Sequence, residues 1–237
     1  MSDQIDFIIR QIPNLLWGFP NNRPGGLLLS VLLSAGTISV GFLLATLLGF
    51  GHHSRWRVVR FLARRLVWLI RGIPLIVLLV LLFQILGSGI IFGIELSAFW
   101  TAVVTLILYA GAYQGDIVRA GIAAVPAQLL EDARLLGASR TTVARTVTIP
   151  YALRVMRPAL VTQAITIFKD SSVVVVLGVV DLTTTARIAL GSDIANAPFW
   201  VATYLTVGAM YWVVAFGLAK VVRPRRGPRL APEVAIS

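Results

Sequence analysis

The chain has 237 residues, of which 57% are hydrophobic and only 13% are charged, and its mean hydropathy is +0.86. This hydrophobic share, gathered into long runs, excludes an ordinary soluble globular domain. The net charge of +11 would suit nucleic acid, but its clustering between apolar runs points elsewhere, and the absence of cysteine excludes disulfides and thiolate metal sites.

Residues 1–26 are predicted to form an extracytoplasmic amphipathic segment. The stretch IDFIIRQIPNLLWGF is short, mixes polar with apolar residues and is expected to be broken at Pro13, which suits a segment lying at a membrane interface. Asp3 and Asp6 stand where a signal peptide would carry basic residues, so a cleaved signal peptide is not expected. A poorly ordered tail is the alternative.

Five apolar stretches follow, and each is near or above the roughly 20 residues that cross a bilayer core. They run over residues 27–50, 72–94, 96–115, 158–180 and 194–219. The fourth stretch is interrupted near its middle by Lys169 and Asp170. The pattern predicts an all-α polytopic membrane protein with about five transmembrane helices, contained in a membrane domain over 27–222.

Basic residues crowd into three connecting regions, which sets an expected orientation. They lie at 55–65, at 119–157 and at 220–229, whereas Arg10, Arg23 and Arg187 on the other side are offset by Asp3, Asp6, Glu95, Asp181 and Asp193. Short loops rich in Arg and Lys stay cytoplasmic, so the N-terminus is expected outside and 223–237 is expected to be a cytoplasmic basic tail. The adjacent His52 and His53 lack a neighbouring carboxylate, and no metal site is expected.

The polar segment 126–150 is predicted to fold as helix, glycine elbow and helix. Pro126 suits the first position of a helix over AQLLEDARLL, and Gly137 can adopt the left-handed conformation that ends it. Ser139 is a plausible N-cap for a second short helix, which Pro150 is expected to stop.

This segment is predicted to dock onto a cytoplasmic protein. Glu131, Asp132, Arg134 and Arg140 are available to a partner. A lipid-bound interfacial helix and a plain structured loop are the alternatives, but an acidic pair at Glu131 and Asp132 is poorly suited to an anionic leaflet. A compact helical knob that enters a groove on a partner fits the residues better.

The spacing of this segment resembles the EAA loop in the membrane subunits of ABC importers. That loop reads E-A-A, three residues, G, nine residues, I-x-L-P, and the matching positions here are Glu131, Ala133, Gly137, Val147, Ile149 and Pro150. Asp132 departs from the pattern, because it adds a charge where the family has alanine.

Two further segments are similar to the polar amino acid branch of that family. AGAYQGDIVRAGIAAVPAQLLEDARLLGAS and FKDSSVVVVLGVVDL resemble its AAYxAEIxRGGIxxxPxGQxEAARxLG and LKDTSLVSVIGVxEL, and FLARRLVWLIRGIPLIVLLVLLF resembles its R-G-T-P segment. Tyr109 stands where many relatives have asparagine, and Asp116 where they have glutamate. The resemblance covers residues from about 27 to 222 and implies a type I ABC importer transmembrane domain in a bacterial cytoplasmic (inner) membrane.

The resemblance also implies partners for the chain. The EAA loop would be a coupling helix, carried by Glu131, Asp132, Ala133, Arg134, Gly137 and Pro150, that sits in a cleft of an ABC ATP-binding subunit present in two copies. A second permease, identical or homologous, and an extracytoplasmic solute-binding protein would complete a transporter for a polar amino acid. An opine, a cystine-like compound or another small polar solute is the alternative substrate, and a self-sufficient secondary transporter is a more distant reading.

No catalytic constellation is present, so the chain is expected not to be an enzyme. It has no G-x-x-x-x-G-K-[ST] phosphate loop, and no cofactor is expected. Polar residues within apolar stretches are instead candidates for a substrate pathway, since a charge inside a bilayer must face protein or water. This argument selects Arg71, Lys169 and Asp170, with the hydroxyls of Ser171 and Ser172 at the same depth, and the family resemblance adds Tyr109 and Asp116 as residues of the pathway lining. An ion-pair set that only holds the helices together is the alternative.

Overall fold

The computed structural model of the chain describes residues 2–21, 24–88, 93 and 95–221, and these residues fold into helices joined by short connections. The α-helices are α1 Ser2–Trp17, α2 Gly26–His52, α3 Arg57–Gly72, α4 Leu75–Gly87, α5 Ala98–Ala123, α6 Ala127–Leu135, α7 Arg140–Val143, α8 Ile149–Asp170, α9 Leu182–Gly191 and α10 Trp200–Val221. Four helical segments are long and apolar enough to cross a membrane, or five if the bent pair α3–α4 counts as one span. The predicted all-α class is confirmed, while the basic tail 223–237 lies outside the described residues.

The centre of the bundle is the close pair of α2 and α5. Glycines allow this approach: a Cβ built on Gly49 would lie 2.4 Å from Val118 Cγ1, and one built on Gly41 would lie 2.8 Å from Ala110 Cβ. Small residues are the usual means by which membrane helices pack closely, because lipid supplies little hydrophobic drive for helix association. Leu29 and Leu33 of α2, with Leu106 of α5, continue the buried contact toward the other end.

A substitution at this contact tests the packing. We expect Gly49→Ala to destabilise the chain by about 1–3 kcal/mol, since the added methyl group meets the stiff Cβ of Val118 in a filled interface. Gly36→Ala is the matched control on the same helix, because nothing lies within 4 Å of its added Cβ. Thermal unfolding in detergent would measure both variants, and equal midpoints for the two would contradict the close approach at Gly49.

The second predicted span, 72–94, begins at a sharp bend between two helices. Helix α3 ends at Gly72 and α4 begins at Leu75, and their axes differ by 110°. The cause is local: Pro74 has no N–H to donate, and the residue before a proline is pushed out of the helical region, as Ile73 is at φ −105° and ψ 130°. The 13 residues of α4 reach only about 20 Å, too short to cross a bilayer core alone.

The prediction that Pro150 stops a helix is wrong. From Arg140 the chain runs without a break through α7, a π-helical segment at Ala144–Thr148 and α8, and the helix tightens to 3-10 geometry over Ser171–Leu177. Pro150 falls in the first turn of α8, and the π-helical turn shifts the hydrogen-bond register just before it, so its missing N–H interrupts little. The span therefore starts well before the predicted residue 158.

The N-terminal segment forms the helix α1, and the predicted break at Pro13 is wrong because the helix continues through it. The carbonyl of Ile9 loses its partner there, and Ile9 is an exposed residue at which solvent or headgroups can replace the bond. One face of α1 packs on the bundle through Leu15, which is buried with Leu182 and Val207.

Candidate translocation site and coupling segment

Polar side chains form a line along one face of α5. Tyr109, Tyr113 and Asp116 are four and three residues apart, a spacing that places them on the same side of a helix. The rings of Tyr109 and Tyr113 are in contact, with centroids 4.6 Å apart. The line spans about 10 Å along the helix axis.

One end of this line meets the end of α8. The Tyr109 hydroxyl donates a hydrogen bond of 3.1 Å to Oδ2 of Asp170, the last residue of α8. Tyr109 is buried, and Asp170 is half-buried. The carboxylate thus has a polar partner on another helix, which a charged group inside a membrane requires.

The other end meets α3. The Arg71 guanidinium stacks 5.1 Å above the centroid of the Tyr113 ring and donates to Asp116 Oδ2 at 2.5 Å. Arg119 donates through Nε to Asp116 Oδ1 at 2.8 Å. Two guanidinium groups therefore share one carboxylate, and this end keeps one excess positive charge. All three side chains stay partly accessible, at 40% for Arg71, 28% for Asp116 and 42% for Arg119.

The remaining three candidates lie beside this line rather than in it. Lys169 is exposed and has no hydrogen bond or ion pair with any part of the chain that the structure describes. Ser171 is buried and donates to the carbonyl of Phe168 at 2.7 Å, while Ser172 is half-buried in the 3-10 segment. The structure thus brings together Arg71, Tyr109, Asp116 and Asp170, and leaves Lys169, Ser171 and Ser172 outside their contacts.

The coupling segment stands away from the bundle. No residue of α6 is buried, and Leu135 and Leu136 at its end are 85% and 87% exposed. Gly137 has the left-handed φ of 81°, and Ser139 caps α7 by accepting from the N–H of Thr142, so the predicted elbow and cap are both present. Helix α6 begins at Ala127 with Pro126 as its N-cap, one position later than predicted. Glu131, Asp132, Arg134 and Arg140 are exposed, and Ala133 is half-buried.

Comparison with known proteins identifies the family. Residues 38–227 match the family model described as the inner membrane component of binding-protein-dependent transport systems. The chain belongs to this family. This inner membrane component is accordingly a multi-pass protein, in agreement with the apolar helices α2, α5, α8 and α10.

Curated relatives of this inner membrane component are transport permeases. It is 28% identical over 210 residues to the glutamate/glutamine/aspartate/asparagine transport system permease protein BztC of Rhodobacter capsulatus, an alignment that covers 88% of this chain and 48% of that protein. It is 29% identical over 197 residues to the L-cystine transport system permease protein TcyB of Bacillus subtilis, covering 83% and 82%. The chain therefore spans about half the length of the Rhodobacter relative.

A solved structure shares the fold of this inner membrane component. The crystal structure of an amino acid ABC transporter with histidines matches it with a TM-score of 0.78 at 28% sequence identity, covering 91% of this chain and 94% of that one. The likeness extends over nearly the whole of both chains and confirms the predicted transmembrane fold.

Sequence reasoning missed two residues of the line in this inner membrane component. Tyr113 lies between the arginine and the tyrosine–carboxylate pair, and Arg119 is the second partner of Asp116. The signal was available in part, because Tyr109, Tyr113 and Asp116 share one helix face and Arg119 follows Asp116 by three residues.

A buried polar cluster connects α2, α9 and α10 at the opposite end of the bundle from α6. Asp181 is fully buried and accepts from the N–H of Thr184 at 2.8 Å and from the Tyr211 hydroxyl at 3.2 Å. Ser30 of α2 accepts from the N–H of Leu182 at 3.1 Å. Burial raises the pKa of the Asp181 carboxyl, which lies between the candidate spans.

This pKa shift predicts a pH-dependent stability. A carboxyl whose pKa is raised by folding stabilises the native state below its unfolded pKa of about 3.9, and that contribution is lost as the pH rises through the native value. Asp181→Asn cannot ionise, so we expect its thermal midpoint to gain on that of the native chain as the pH rises above about 4, the unfolded pKa of the carboxyl. Asp181→Ala should cost about 1–3 kcal/mol, because Thr184 and Tyr211 lose their acceptor. A constant difference between the Asn variant and the native chain over this rise in pH would contradict the assignment.

Proposed function

We propose that this chain forms half of the translocation pathway of an ATP-driven ABC importer for polar amino acids. The observation that carries this proposal is the line from Asp170 through Tyr109 and Tyr113 to Arg71 and Asp116. The relatives named as amino acid permeases support the substrate class.

The line offers both charges that an α-amino acid needs. The two positive charges of Arg71 and Arg119 exceed the single negative charge of Asp116 by one, and this excess suits the substrate carboxylate. Asp170, held by only one described hydrogen-bond donor, suits the ammonium group. Since both charged groups of an α-amino acid are attached to one carbon, a single molecule cannot reach both ends of a line about 10 Å long. The two ends therefore act as successive contacts during transit.

Lys169, Ser171 and Ser172 remain proposed pathway residues. Lys169 directly precedes Asp170, after which the helix tightens to 3-10 geometry. Its side chain is exposed, so the ammonium group is available to the substrate or to the second permease. The two hydroxyls lie at the same depth as Asp170 and could replace part of the hydration shell of a polar solute.

Coupling to an ATP-binding subunit is proposed to occur through α6. Its exposed Leu135 and Leu136 form an apolar tip beside Glu131, Asp132 and Arg134, a combination suited to a groove on a soluble protein. Beyond the Gly137 elbow, the helical chain from Arg140 is uninterrupted as far as Leu177 and contains Asp170. Movement of a docked ATPase would therefore be transmitted through the elbow to one continuous helix that contains Asp170.

The assembly and its orientation follow from the same proposal. Two ATP-binding subunits, a second permease that is identical or homologous, and an extracytoplasmic solute-binding protein would complete the importer. Residues 1–26 would lie on the outer side and the membrane domain would be 27–222, with its EAA loop at 126–150 on the cytoplasmic side next to the basic tail 223–237. The excess of arginine near α6 supports this orientation.

Another small polar solute is the second candidate substrate. The L-cystine permease among the relatives supports a cystine-like compound, and an opine would offer similar charged groups. Identification of the solute that co-purifies with the partner binding protein would separate these from a proteinogenic amino acid. A self-sufficient secondary transporter is disfavoured by the exposed α6, which such a protein would not need.

Reconstitution tests the proposal directly. The homogeneous chain alone should neither hydrolyse ATP nor accumulate solute, because its sequence contains no phosphate-binding loop. Addition of the ATP-binding subunit, the second permease and the solute-loaded binding protein should produce both activities. ATP hydrolysis by the isolated chain, or ATP-independent accumulation, would overturn the assignment.

A further inference from the structure

A basic cavity lies between α3 and the C-terminal ends of α2 and α5. It measures about 600 Å³, and its wall includes Arg64, Arg65, Arg71 and Arg119 with the rings of Phe61 and Trp68. Asp116 is the carboxylate in this wall, and it is already shared by Arg71 and Arg119. Among the residues that the structure describes, no carboxylate lies within 4 Å of Arg64 or Arg65. The four arginines and one aspartate therefore give the cavity a surplus of about three positive charges, which favours the binding of an anion.

The position of the cavity indicates where that anion resides. His52, the last residue of α2, lines it, and Arg119 lies four residues before the end of α5. The cavity consequently opens at the end of the bundle that carries α6. In the proposed orientation this is the level of the cytoplasmic headgroups, where anionic phospholipids attract basic residues.

Apolar surface beside the cavity distinguishes a lipid from a soluble anion. Phe61, Leu62, Trp68 and Leu69 of α3 are 53–69% exposed, next to Arg64 and Arg65 on the same helix. Arg65 lies 5.2 Å above the Phe61 ring. Exposed tryptophan together with arginine is typical of a helix at the membrane interface, where rings meet acyl chains and guanidinium groups meet phosphates.

We propose that this cavity binds the headgroup of an anionic phospholipid, with Arg64 and Arg65 contacting the phosphate and with Trp68 and Phe61 against the upper acyl chains. The site goes beyond the proposed transport function and shares with it only the orientation of the chain. Arg71 and Arg119 form its inner wall, so the bound lipid lies next to the Asp116 end of the polar line.

Lipid titration of the full chain tests this site, with phosphatidylglycerol and phosphatidylcholine as probes and native mass spectrometry as the readout. We expect the native chain to prefer phosphatidylglycerol and the double variant Arg64→Gln/Arg65→Gln to lose about ten-fold or more of that affinity. The matched control is Arg55→Gln/Arg57→Gln, which removes the same charge from exposed positions outside the cavity and should bind as the native chain does. Unchanged binding of phosphatidylcholine shows that the cavity variant is folded.

Four outcomes would overturn the site. Equal losses in the two double variants would mean diffuse charge attraction, and equal affinity for the two lipids would mean no headgroup recognition. Displacement of phosphatidylglycerol by inorganic phosphate would indicate a site for small anions. Loss of ATPase co-purification with lipid binding intact would assign the arginines to the ATP-binding subunit. Because lipid binding is measured without transport, failure here leaves the proposed importer function standing, and failure of uptake leaves the lipid site standing.

Discussion

Asp170→Asn is expected to reduce solute uptake by the reconstituted importer by about ten-fold or more. The substitution preserves size but removes the charge that receives the hydrogen bond of Tyr109 and that we propose meets the substrate ammonium. A hydrogen bond to a charged group contributes about 1.5–3 kcal/mol, and each 1.4 kcal/mol corresponds to ten-fold. Radiolabelled uptake into proteoliposomes containing the full complex measures the loss.

Two comparisons make this result interpretable. Asp193→Asn removes a carboxylate that caps the 3-10 segment Ile194–Phe199 away from the polar line, so uptake by this variant should stay at the native level. The Asp170 variant should retain its thermal midpoint if the loss concerns the pathway, whereas a matching fall in the midpoint would assign the carboxylate to packing. Native uptake together with native stability would exclude both roles for Asp170.

Gly137→Leu is expected to abolish coupling between ATP hydrolysis and uptake while the chain still inserts and folds. Gly137 has a φ of 81°, in the left-handed region that costs a leucine about 1–2 kcal/mol. Nothing lies within 4 Å of a Cβ added there, so the cost is conformational rather than a clash inside the chain. The chain relieves the strain by reorienting α6, which contains no buried residue to hold it in place.

The matched control at this position is Gly137→Asn. Asparagine tolerates the left-handed conformation, so this variant should keep most of the uptake although its side chain is also larger than hydrogen. Glu131→Lys reverses a charge on the proposed docking surface and should weaken co-purification of the ATP-binding subunit without strain. Solute-stimulated ATP hydrolysis and uptake should be measured together, and normal values for both Gly137→Leu and Glu131→Lys would mean that α6 is not the coupling helix.

Local features of the fold could be predicted from the sequence, because neighbouring residues determine them. The apolar runs identify α2, α5 and α10 as membrane helices through length and composition alone. Gly137 ends α6 and Ser139 caps α7, since a glycine tolerates positive φ and a serine hydroxyl accepts from the third N–H of a helix. Neither feature depends on the rest of the chain.

The polar line was only partly predictable. The cost of a charge within a membrane singled out Arg71, Lys169 and Asp170 one by one, and the family resemblance added Asp116, but neither argument identified their partners. The ion pair of Arg71 with Asp116 joins residues 45 apart in the sequence, and the bond from Tyr109 to Asp170 joins residues 61 apart. Both contacts depend on how α3, α5 and α8 are rotated and placed against one another.

The tertiary structure decided these rotations for a physical reason. The faces of α2 are similarly apolar, so hydrophobicity does not distinguish the face that packs against α5 from the faces that turn toward lipid. Gly49 of α2 packs against Val118 of α5, and Gly111 of α5 packs against Leu44 of α2. The small size of these glycines determines which surfaces of the two helices face each other, and a pattern of polarity does not reveal it. The continuity of the helix through Pro150 also depends on the folded backbone, since a π-helical turn just before Pro150 shifts the hydrogen-bond register where the proline N–H is missing. The sequence by itself determined which segments are helical and apolar; close packing decided which of their few polar residues meet.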